Sequence, residues 1–370
     1  MGCRERPFVT FAVLAISIGI QLIYILGFYL RLAFHKNKSP KKTREPVSVI
    51  ICARNEEDNL YENLPVILEQ DYPDFEVIVV NHQSIDDSVH ILKAYAREYS
   101  HLRIIDIVRS KHLKNSKKLP LTLGIKGAKN ERILLTDADC LPQTKEWITE
   151  MVSSSQENKA IVLGYGPYKK LKGFVNKIIR FDTTQIAINY FSYAKNGLAY
   201  MGIGRNLSYT KSIFENNSGF KSHYDLQSGD DDLFIQEVAL KRNYTINFEE
   251  NATVYSTPKL TWKSWVQQKH RHFTTAPKYR VIHKALLGTY SLSYFLMCIS
   301  FAILLVETDF WLIGVILFGG RTLINWLVQG ILFAKLKQKD LIVWIPFIEL
   351  MMSCLMPFIY FTKQTNSKWK

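Results

Sequence analysis

Glu131-Arg132-Ile133-Leu134-Leu135-Thr136-Asp137-Ala138-Asp139-Cys140-Leu141-Pro142 is the stretch on which the fold turns. Ile133, Leu134 and Leu135 make a short apolar run, too short for a helix and of the kind that forms a strand buried on both faces. Asp137 and Asp139 follow, separated by a single alanine. At the carboxyl end of a parallel strand the chain leaves the sheet into the crevice where open α/β sheets bind ligands. Two acids there offer hard oxygen ligands to Mg²⁺ or Mn²⁺, and such an ion would neutralise a diphosphate. The alternative is a solvated acidic turn. A bare Asp-x-Asp is common by chance, so its surroundings decide between the two.

Upstream, residues 47–52 read as a first buried strand, and Asn55 stands where it caps a helix carrying Leu60, Leu64, Ile67 and Leu68 at helical spacing. Residues 75–80 read as a second strand, followed by the polar loop 81–87, a helix over 87–99 and a third strand over 102–108. Lys111, Lys114, Lys117 and Lys118 come next, then a short helix through Gly124 and Ala128. Strands alternating with helices imply right-handed crossovers and a Rossmann-like, mostly parallel sheet. No glycine-rich dinucleotide fingerprint follows the first strand, which argues against NAD or FAD.

The apolar residues gather at the two ends of the 370-residue chain. Residues 8–30 are almost wholly apolar and long enough to span a bilayer at ~1.5 Å per residue. No small-residue cleavage site follows, so the segment reads as a retained anchor. Residues 285–306, 310–333 and 341–361 are three further candidate spans. The last holds Pro346, Glu349 and Pro357, which leaves a re-entrant or interfacial segment open. The expected division is an anchor over 1–34, a basic linker over 35–45, an α/β domain over 46–280 and a membrane region over 281–370.

The net charge of +14 is placed as a membrane surface requires. Arg31, His35, Lys36, Lys38, Lys41, Lys42 and Arg44 follow the first span directly, the mark of a cytoplasmic flank. Glu307 and Asp309 suit an outer loop, and Lys335, Lys337 and Lys339 an inner one. Arg4, Arg6, Lys363, Lys368 and Lys370 fit less well if all four segments span. This placement excludes nucleic acid as the expected partner and favours membrane lipids. Cys3, Cys52, Cys140, Cys298 and Cys354 show no paired spacing, as in a reducing cytosol. Met1-Gly2 resembles a myristoylation start, but Arg6 stands in place of the required Ser or Thr.

Five pieces in this order resemble the inverting family 2 glycosyltransferases, whose fold is called GT-A. They are VSVIICARNEE (47–57), EVIVVNHQSIDDS (76–88), the lysine-bearing NSKKLPLTLGIKGAK (115–129), LLTDADCLP (134–142) and SGDDDLF (228–234), and QKHRH (268–272) extends the match. The resemblance covers roughly 46–279, and with the flanking spans most of the chain.

The resemblance implies a nucleotide-sugar donor. It places Arg54, Glu56, Asn81, Ser84, Asp86, Lys117, Asp137 and Arg271 on the donor and assigns Asp137 and Asp139 to the metal. The usual Asp-Asp-Gly-Ser-x-Asp pattern is replaced by Asn81-His82-Gln83-Ser84-Ile85-Asp86, so Ser84 and Asp86 match while the leading acids do not. Asn81 still offers a donor and an acceptor to a base or ribose; a loop that only caps the next helix is the alternative for Ser84 and Asp86. Lys117 falls where the family keeps a lysine near the donor phosphates, whereas Lys111 and Lys114 read as a solvated basic loop.

Gly164 and Gly166, within 161–168, suggest a strand passing close to a ligand. Residues 171–195 read either as an amphipathic helix at the membrane or as a buried helix. Gly202-Ile203-Gly204-Arg205-Asn206 matches the acceptor-side segment, so Gly204, Asn206 and Gln268 are expected near the acceptor. Among Asp230, Asp231 and Asp232 the register favours Asp231 as the general base that inverting displacement requires, with Asp230 the neighbouring candidate. Helix N-terminal charge accounts for part of that run. Gln268-Lys269-His270-Arg271-His272 resembles Gln-x-x-Arg-Trp with His272 in place of tryptophan, which removes the platform used by processive synthases. Arg271 then either pairs with the diphosphate or joins a juxtamembrane basic cluster.

The expectation is an integral membrane glycosyltransferase of hexosyltransferase type in a bacterial inner (cytoplasmic) membrane, with its catalytic domain in the cytosol. It would use Mg²⁺ or Mn²⁺ and act on a lipid-linked or polysaccharide acceptor of the cell envelope. The rival reading is a catalytically inactive relative that binds glycolipid or scaffolds partners.

Overall fold

The computed structural model describes residues 5–36, 45–108, 116–155, 159–239, 243–306 and 309–362. The basic residues Lys38, Lys41, Lys42, Arg44, Lys111 and Lys114, the side chain of Arg6, and Gly2, Cys3, Arg4, Glu307, Thr308, Lys363, Lys368 and Lys370 lie outside that description. The chain divides into two units. One comprises Met1–His35, Thr184–Leu198 and Tyr279–Thr362; the other comprises Lys36–Thr183 and Ala199–Lys278.

The membrane-type unit opens with α1 (Glu5–Tyr24), one π-helical turn over Ile25–Tyr29 and α2 (Leu30–Ala33). Among the described residues, four helical segments are long and apolar enough to cross a membrane: Pro7–Ala33, Val281–Leu304, Trp311–Lys335 and Lys339–Phe361. Leu14 and Ile18 of the first pack with Tyr294, Met297 and Leu304 of the second, and Phe301 stacks on Phe318 of the third. Residues 341–361, for which a re-entrant path was open, fall in a short 3-10 stretch and one continuous helix, Ile345–Phe361. Pro346 lies in that helix's first turn, where its missing N–H costs no bond. Glu349 meets Arg321, which donates to it at 2.9 and 3.0 Å and also to Gln21 Oε1 at 2.5 Å. Asn325 Nδ2 donates to the same carboxylate at 3.0 Å.

The α/β unit is built on β1 (Val47–Ala53), whose seven residues are all buried, as an apolar run covered on both faces must be. The chain continues through α3 (Glu57–Leu68), β2 (Phe75–His82), α4 (Ser88–Glu98), β3 (Leu102–Ile107), α5 (Lys118–Gly127), β4 (Arg132–Asp137), β5 (Cys140–Pro142), α6 (Trp147–Ser153) and β6 (Ile161–Leu163). After α7 (Phe174–Lys195) come β7 (Leu207–Thr210), α8 (Lys211–Asn216), α9 (Asp232–Val238), β8 (Tyr244–Ile246), β9 (Val254–Ser256) and α10 (Trp262–His272). The remaining helices, α11 (Val281–Leu304), α12 (Trp311–Lys335) and α13 (Ile345–Phe361), belong to the first unit.

Seven strands form one sheet in the order β3-β2-β1-β4-β7-β6-β8, and β5 pairs with β9 in a small second ribbon. The β3-β2-β1-β4 half is wholly parallel, while β7 runs antiparallel to both β4 and β6. The carboxyl ends of β1, β2, β3 and β4 therefore share one edge of the sheet. Thr136 and Asp137 of β4 stand beside Ile51 and Cys52 of β1.

The structure decides between two sequence readings for residues 171–195 and changes the expectation for Asn55. Within residues 171–195 the helix α7 (Phe174–Lys195) is buried along most of its length, from Ile178 to Ala194, with its two ends exposed. Its second half groups with the spans instead of the α/β domain: Asn189 accepts from the Tyr29 hydroxyl at 2.9 Å, and Asn196 from Arg31 at 2.6 Å. Asn55 does not cap α3. Glu56 holds that position, and Asn55 adopts a left-handed φ of 52° while its Oδ1 accepts from Ile85 N–H at 2.9 Å.

Removing one partner of the Arg321–Glu349 pair strands a buried charge, at a cost of about 3–5 kcal/mol. Arg321→Ala or Glu349→Ala should each lower the melting temperature of the detergent-solubilised protein, and the double substitution Arg321→Met/Glu349→Leu should recover most of the loss. Equal melting of single and double variants would refute this.

Candidate active site

The centre of the site is a lysine held among acids. Lys117, in the turn that leads into α5, places its Nζ in an ion pair with Asp137 Oδ1 and 3.9 Å from Asp230 Oδ2. Burial alone would lower the lysine pKa, but Asp137 and then Asp230 outweigh it and raise the value well above that of a free lysine. Asp137 closes β4. Burial raises its pKa, and the Lys117 charge and hydrogen bond outweigh that and bring it below the ordinary carboxylate value.

Asp139, two residues on, is pushed the other way by burial and by the Asp137 charge, while Ser256 donates to its Oδ2 at 3.1 Å. Asp137, Asp139 and Cys140 bring one ligand atom each within 4.8 Å of one another. The Cys140 thiol is driven well above its usual pKa by burial and by Asp139 and Asp137, so it stays protonated, which leaves the two carboxylates as the oxygen donors. Paired carboxylates of this kind suit Mg²⁺ or Mn²⁺.

The acid run arrives from the opposite direction. Gly229 takes a left-handed φ of 108° and turns the chain into α9. Asp230 then faces Lys117. Asp231 stands at the helix N-cap, accepting from Gly204 N–H at 3.0 Å and from Asp232 N–H at 2.8 Å. Loss of water around it, with the charges of Asp230 and Asp232, pushes its pKa up to about 7 against those two donors. Asp232 is buried and accepts from the Thr275 hydroxyl at 2.5 Å. A Cβ on Gly204 would stand 3.4 Å from Lys117 Nζ and within 3.7 Å of Asp230 and Asp231 oxygens, so a glycine keeps this wall open.

Two arginines flank the carboxylates. Arg205 lies over the Tyr168 ring at 4.5 Å, and the Tyr168 hydroxyl accepts from Gln268 Nε2 at 3.0 Å. Arg271, on α10, lends its charge to the depression of Asp137, and its Nε is buried without a hydrogen-bond partner. Lys269, which a juxtamembrane cluster would leave in solvent, is instead buried against Asp182.

The loops after β1 and β2 are laced together. Ser84 Oγ accepts from Asn55 N–H at 2.9 Å, Asp86 from Glu57 N–H at 3.1 Å and from Ser88 N–H at 3.2 Å, and Glu57 from Asp87 N–H at 2.8 Å. Ser84 and Asp86 thus fasten this loop and serve the backbone. Glu56 accepts from Asn59 at 2.5 Å, and Asn81 Nδ2 donates to Asp106 at 2.6 Å. Arg54, after burial itself, is the charge that drives buried His82 down to about 4.

Asn206, expected on the acceptor side, is wholly buried. It accepts from Trp147 Nε1 at 3.1 Å and donates to the Tyr165 and Ala252 carbonyls at 2.7 and 2.8 Å. Its three bonds tie the start of β7 to α6 and to the segments after β6 and before β9. The same packing explains Gly164, where a Cβ would fall 2.5 Å from the Asn206 side chain. The close approach inferred for Gly164 is made by this chain's own asparagine and not by a ligand. Sequence reasoning missed Arg205, Tyr168, Ser256 and Asp106 as site residues. Arg205 and Tyr168 had a signal, since each lies inside a glycine-bearing segment already singled out.

Two family models match the chain: Glycosyl transferase family 2 over residues 48–216 and Glycosyl transferase family group 2 over residues 133–359. The chain is 23% identical over 273 residues to the probable glycosyltransferase YdaM of Bacillus subtilis (strain 168), covering 69% of this chain and 63% of that protein. It is 32% identical over 130 residues to the poly(ribitol-phosphate) beta-glucosyltransferase of Bacillus spizizenii, covering 34% of this chain and 19% of that one. It therefore spans less than two thirds of either relative's length. In structure it resembles the mannosyltransferase PcManGT of Pyrobaculum calidifontis, solved with GDP-Man and Mn²⁺, with a TM-score of 0.58 at 17% identity over 94% of this chain and 98% of that one. This likeness concerns the fold.

Asn206→Ala removes three buried hydrogen bonds and should cost about 2–4 kcal/mol of stability. Thermal unfolding of the variant is expected to shift down while nucleotide affinity below the transition is unchanged; a selective loss of affinity would instead return Asn206 to the ligand.

Proposed function

This chain belongs to the family 2 glycosyltransferases, and from that premise we propose that it moves a sugar, with inversion, from a nucleotide-sugar donor to a lipid-linked or polysaccharide acceptor at the cytosolic face of a bacterial inner membrane. One observation carries the reading: the strand-end pair Asp137 and Asp139, Lys117 and the acid run Asp230–Asp232 converge on one point from three separate segments.

In this reading Asp137 and Asp139 hold Mg²⁺ or Mn²⁺. When bound, such an ion stabilises the negative charge that develops on the departing diphosphate. Lys117 and Arg271 are the protein's own cations for the same phosphates, and the donor draws Lys117 partly away from Asp137. Asp231 takes the proton from the acceptor hydroxyl as that oxygen bonds to the anomeric carbon and the bond from carbon to diphosphate oxygen breaks. A carboxylate raised toward neutrality is matched to that task, and the Gly204 and Asp232 N–H groups fix its orientation. Asp230 keeps Lys117 in place.

The cytosolic assignment is supported by the basic residues Arg31, His35 and Lys36 after the first span. Within the membrane-type unit Lys335, at the end of α12, donates to the His35 carbonyl at 2.8 Å, which brings two basic ends together.

The test is turnover by purified protein in lipid with a panel of UDP-, GDP- and dTDP-sugars, native lipid extract as acceptor, and Mg²⁺ or Mn²⁺. One donor should be consumed, EDTA should stop the reaction, and Asp139→Asn should abolish the metal requirement together with the activity. Consumption of no donor would favour an inactive, glycolipid-binding relative. Asp231→Asn should lower kcat by about 10²–10⁴-fold.

The pH profile follows from the raised Asp231 value. The base works only when ionised, so kcat/KM should fall about tenfold per pH unit below about 7 and level off above it. A profile flat down to pH 5 would remove Asp231 from the base role.

A further inference from the structure

Two loops of the α/β unit leave the fold side by side. Tyr168 and Ser256 form a parallel bridge, and Lys169 N–H donates to the Ser256 carbonyl at 2.9 Å. One chain then runs out through Lys170-Leu171-Lys172-Gly173 to Phe174, the first residue of α7; the other runs through Lys259-Leu260-Thr261 to Trp262, the first residue of α10. Both tips turn apolar side chains outward: Leu171 is 40% exposed, Phe174 50%, Leu260 73% and Trp262 39%. Elsewhere in this unit, among the described residues, large exposed hydrophobic side chains occur singly along the chain. Residues 169–174 and 257–263 hold five lysines and no acid. Neither tip is slack. The Asn176 side chain closes the first, accepting from Leu171 N–H at 2.9 Å and donating to the Lys169 carbonyl at 3.2 Å, and Gly173 turns the chain with a left-handed φ of 104°. In the second, Thr261 caps α10 by accepting from Ser264 N–H at 3.2 Å, and Trp262 packs on buried Trp265 with ring centroids 5.5 Å apart.

We propose that these two tips form a docking surface with which the α/β unit rests on an anionic lipid surface. Apolar side chains exposed together mark a surface that a partner covers. Leucine, phenylalanine and tryptophan with lysines around them suit the boundary between acyl chains and headgroups, where the apolar groups sink below the phosphates and the ammonium groups reach up to them. A protein partner would need an acid set against each lysine, whereas a bilayer holding anionic lipids offers negative charge at whatever spacing the tips present. Such a surface is near in the sequence: only residues 273–280 separate α10 from α11, a helix long and apolar enough to span. The tips also open directly from the carboxylate site. Tyr168, beneath Arg205, and Ser256, which donates to Asp139, are the last fixed points before the two loops depart. Docking the tips therefore steadies those carboxylates against the headgroups.

The experiment is spin-label accessibility on the full chain in nanodiscs of POPC alone and of a POPC and POPG mixture. Labels are attached through Leu171→Cys, Leu260→Cys and, as a control on α3, Tyr61→Cys, which is 67% exposed, in a background of Cys3→Ser, Cys298→Ala and Cys354→Ser. With POPG present, the labels at positions 171 and 260 should be more open to oxygen than to an aqueous nickel chelate, and the label at position 61 the reverse. Lys172→Glu with Lys263→Glu, both at exposed sites, should cut the lipid-docked fraction about fivefold or more, and leaving out POPG should act in the same direction. Labels at 171 and 260 as open to nickel as the one at 61 overturn the docking. Shielding from both reagents in either lipid, the sign of a protein partner or a second copy, overturns it too. Equal docking with and without POPG, or no loss in the Lys→Glu variant, overturns the anionic surface. None of these outcomes bears on the transferase reading.

Discussion

The site depends on one buried cation. Burying an isolated ammonium costs several kcal/mol, and Lys117 avoids that cost only because Asp137 pairs with it and Asp230 lies 3.9 Å away. The dependence is mutual. Asp137 is the last residue of β4 and Asp230 is the approach to α9, so without the cation two like charges would face each other across the sheet edge. Lys118, the next residue, works in the other direction. Its Nζ is fully buried and donates to the His223 and Leu226 carbonyls, which pins the loop leading to the acid run. Burial draws its pKa down to about 8. Consecutive lysines, one paired with carboxylates and one with carbonyls, hold the acids of two distant segments at one point.

β1, β2 and β4 were legible because each is an apolar run bounded by polar residues, and a parallel sheet buries such runs on both faces; β3, at the sheet's edge, showed only its apolar Leu102, Ile104, Ile105 and Ile107. Asp137 and Asp139 were legible for the same reason: a strand end fixes where the next residues emerge. The short strands β5, β8 and β9 carry only three residues each, too few for any periodicity to register, and they are held by pairing across long separations. Ser84 and Asp86 show a subtler limit. They match a binding pattern, yet their hydrogen bonds run to the backbone at Glu57, Ser88 and Asn55, so the pattern marks a loop that must be stiff before it can bind. Asp106 matters only through Asn81, 25 positions away, and no local signal could have pointed to it; Tyr168 ends the segment 161–168 already singled out, but its partners Arg205 and Gln268 lie far along the chain.

In the membrane-type unit the same logic appears with a different solvent. Apolar helices have little to gain from meeting one another in lipid, so polar contacts carry much of the specificity of their packing. Arg321 on α12, Glu349 on α13, Gln21 on α1 and Asn325 on α12 form one network, and Gln21 also donates to the Tyr290 carbonyl and the Ser293 hydroxyl at 2.8 Å. Glu349 looked, in the sequence, like a reason for the last segment not to cross. Paired, it is the residue that ties that segment to the others.

Asp230, Asp231 and Asp232 look like three copies of one signal, a negative charge favoured by a helix dipole. Their geometry separates them. Asp230 precedes α9, Asp231 caps it and Asp232 is its first residue, so the three side chains leave backbone of three different conformations. Asp230 lies before the turn and meets Lys117; Asp231 takes the cap and binds two backbone N–H groups; Asp232 turns inward to Thr275. The outer two are each held by a partner that favours charge or supplies a hydrogen bond, whereas the middle one is raised first by its burial and then by the repulsion of both neighbours. A titratable group near neutrality is thus a product of its burial and of its two neighbours, and shortening the run by one acid would change the chemistry of the residue that remains.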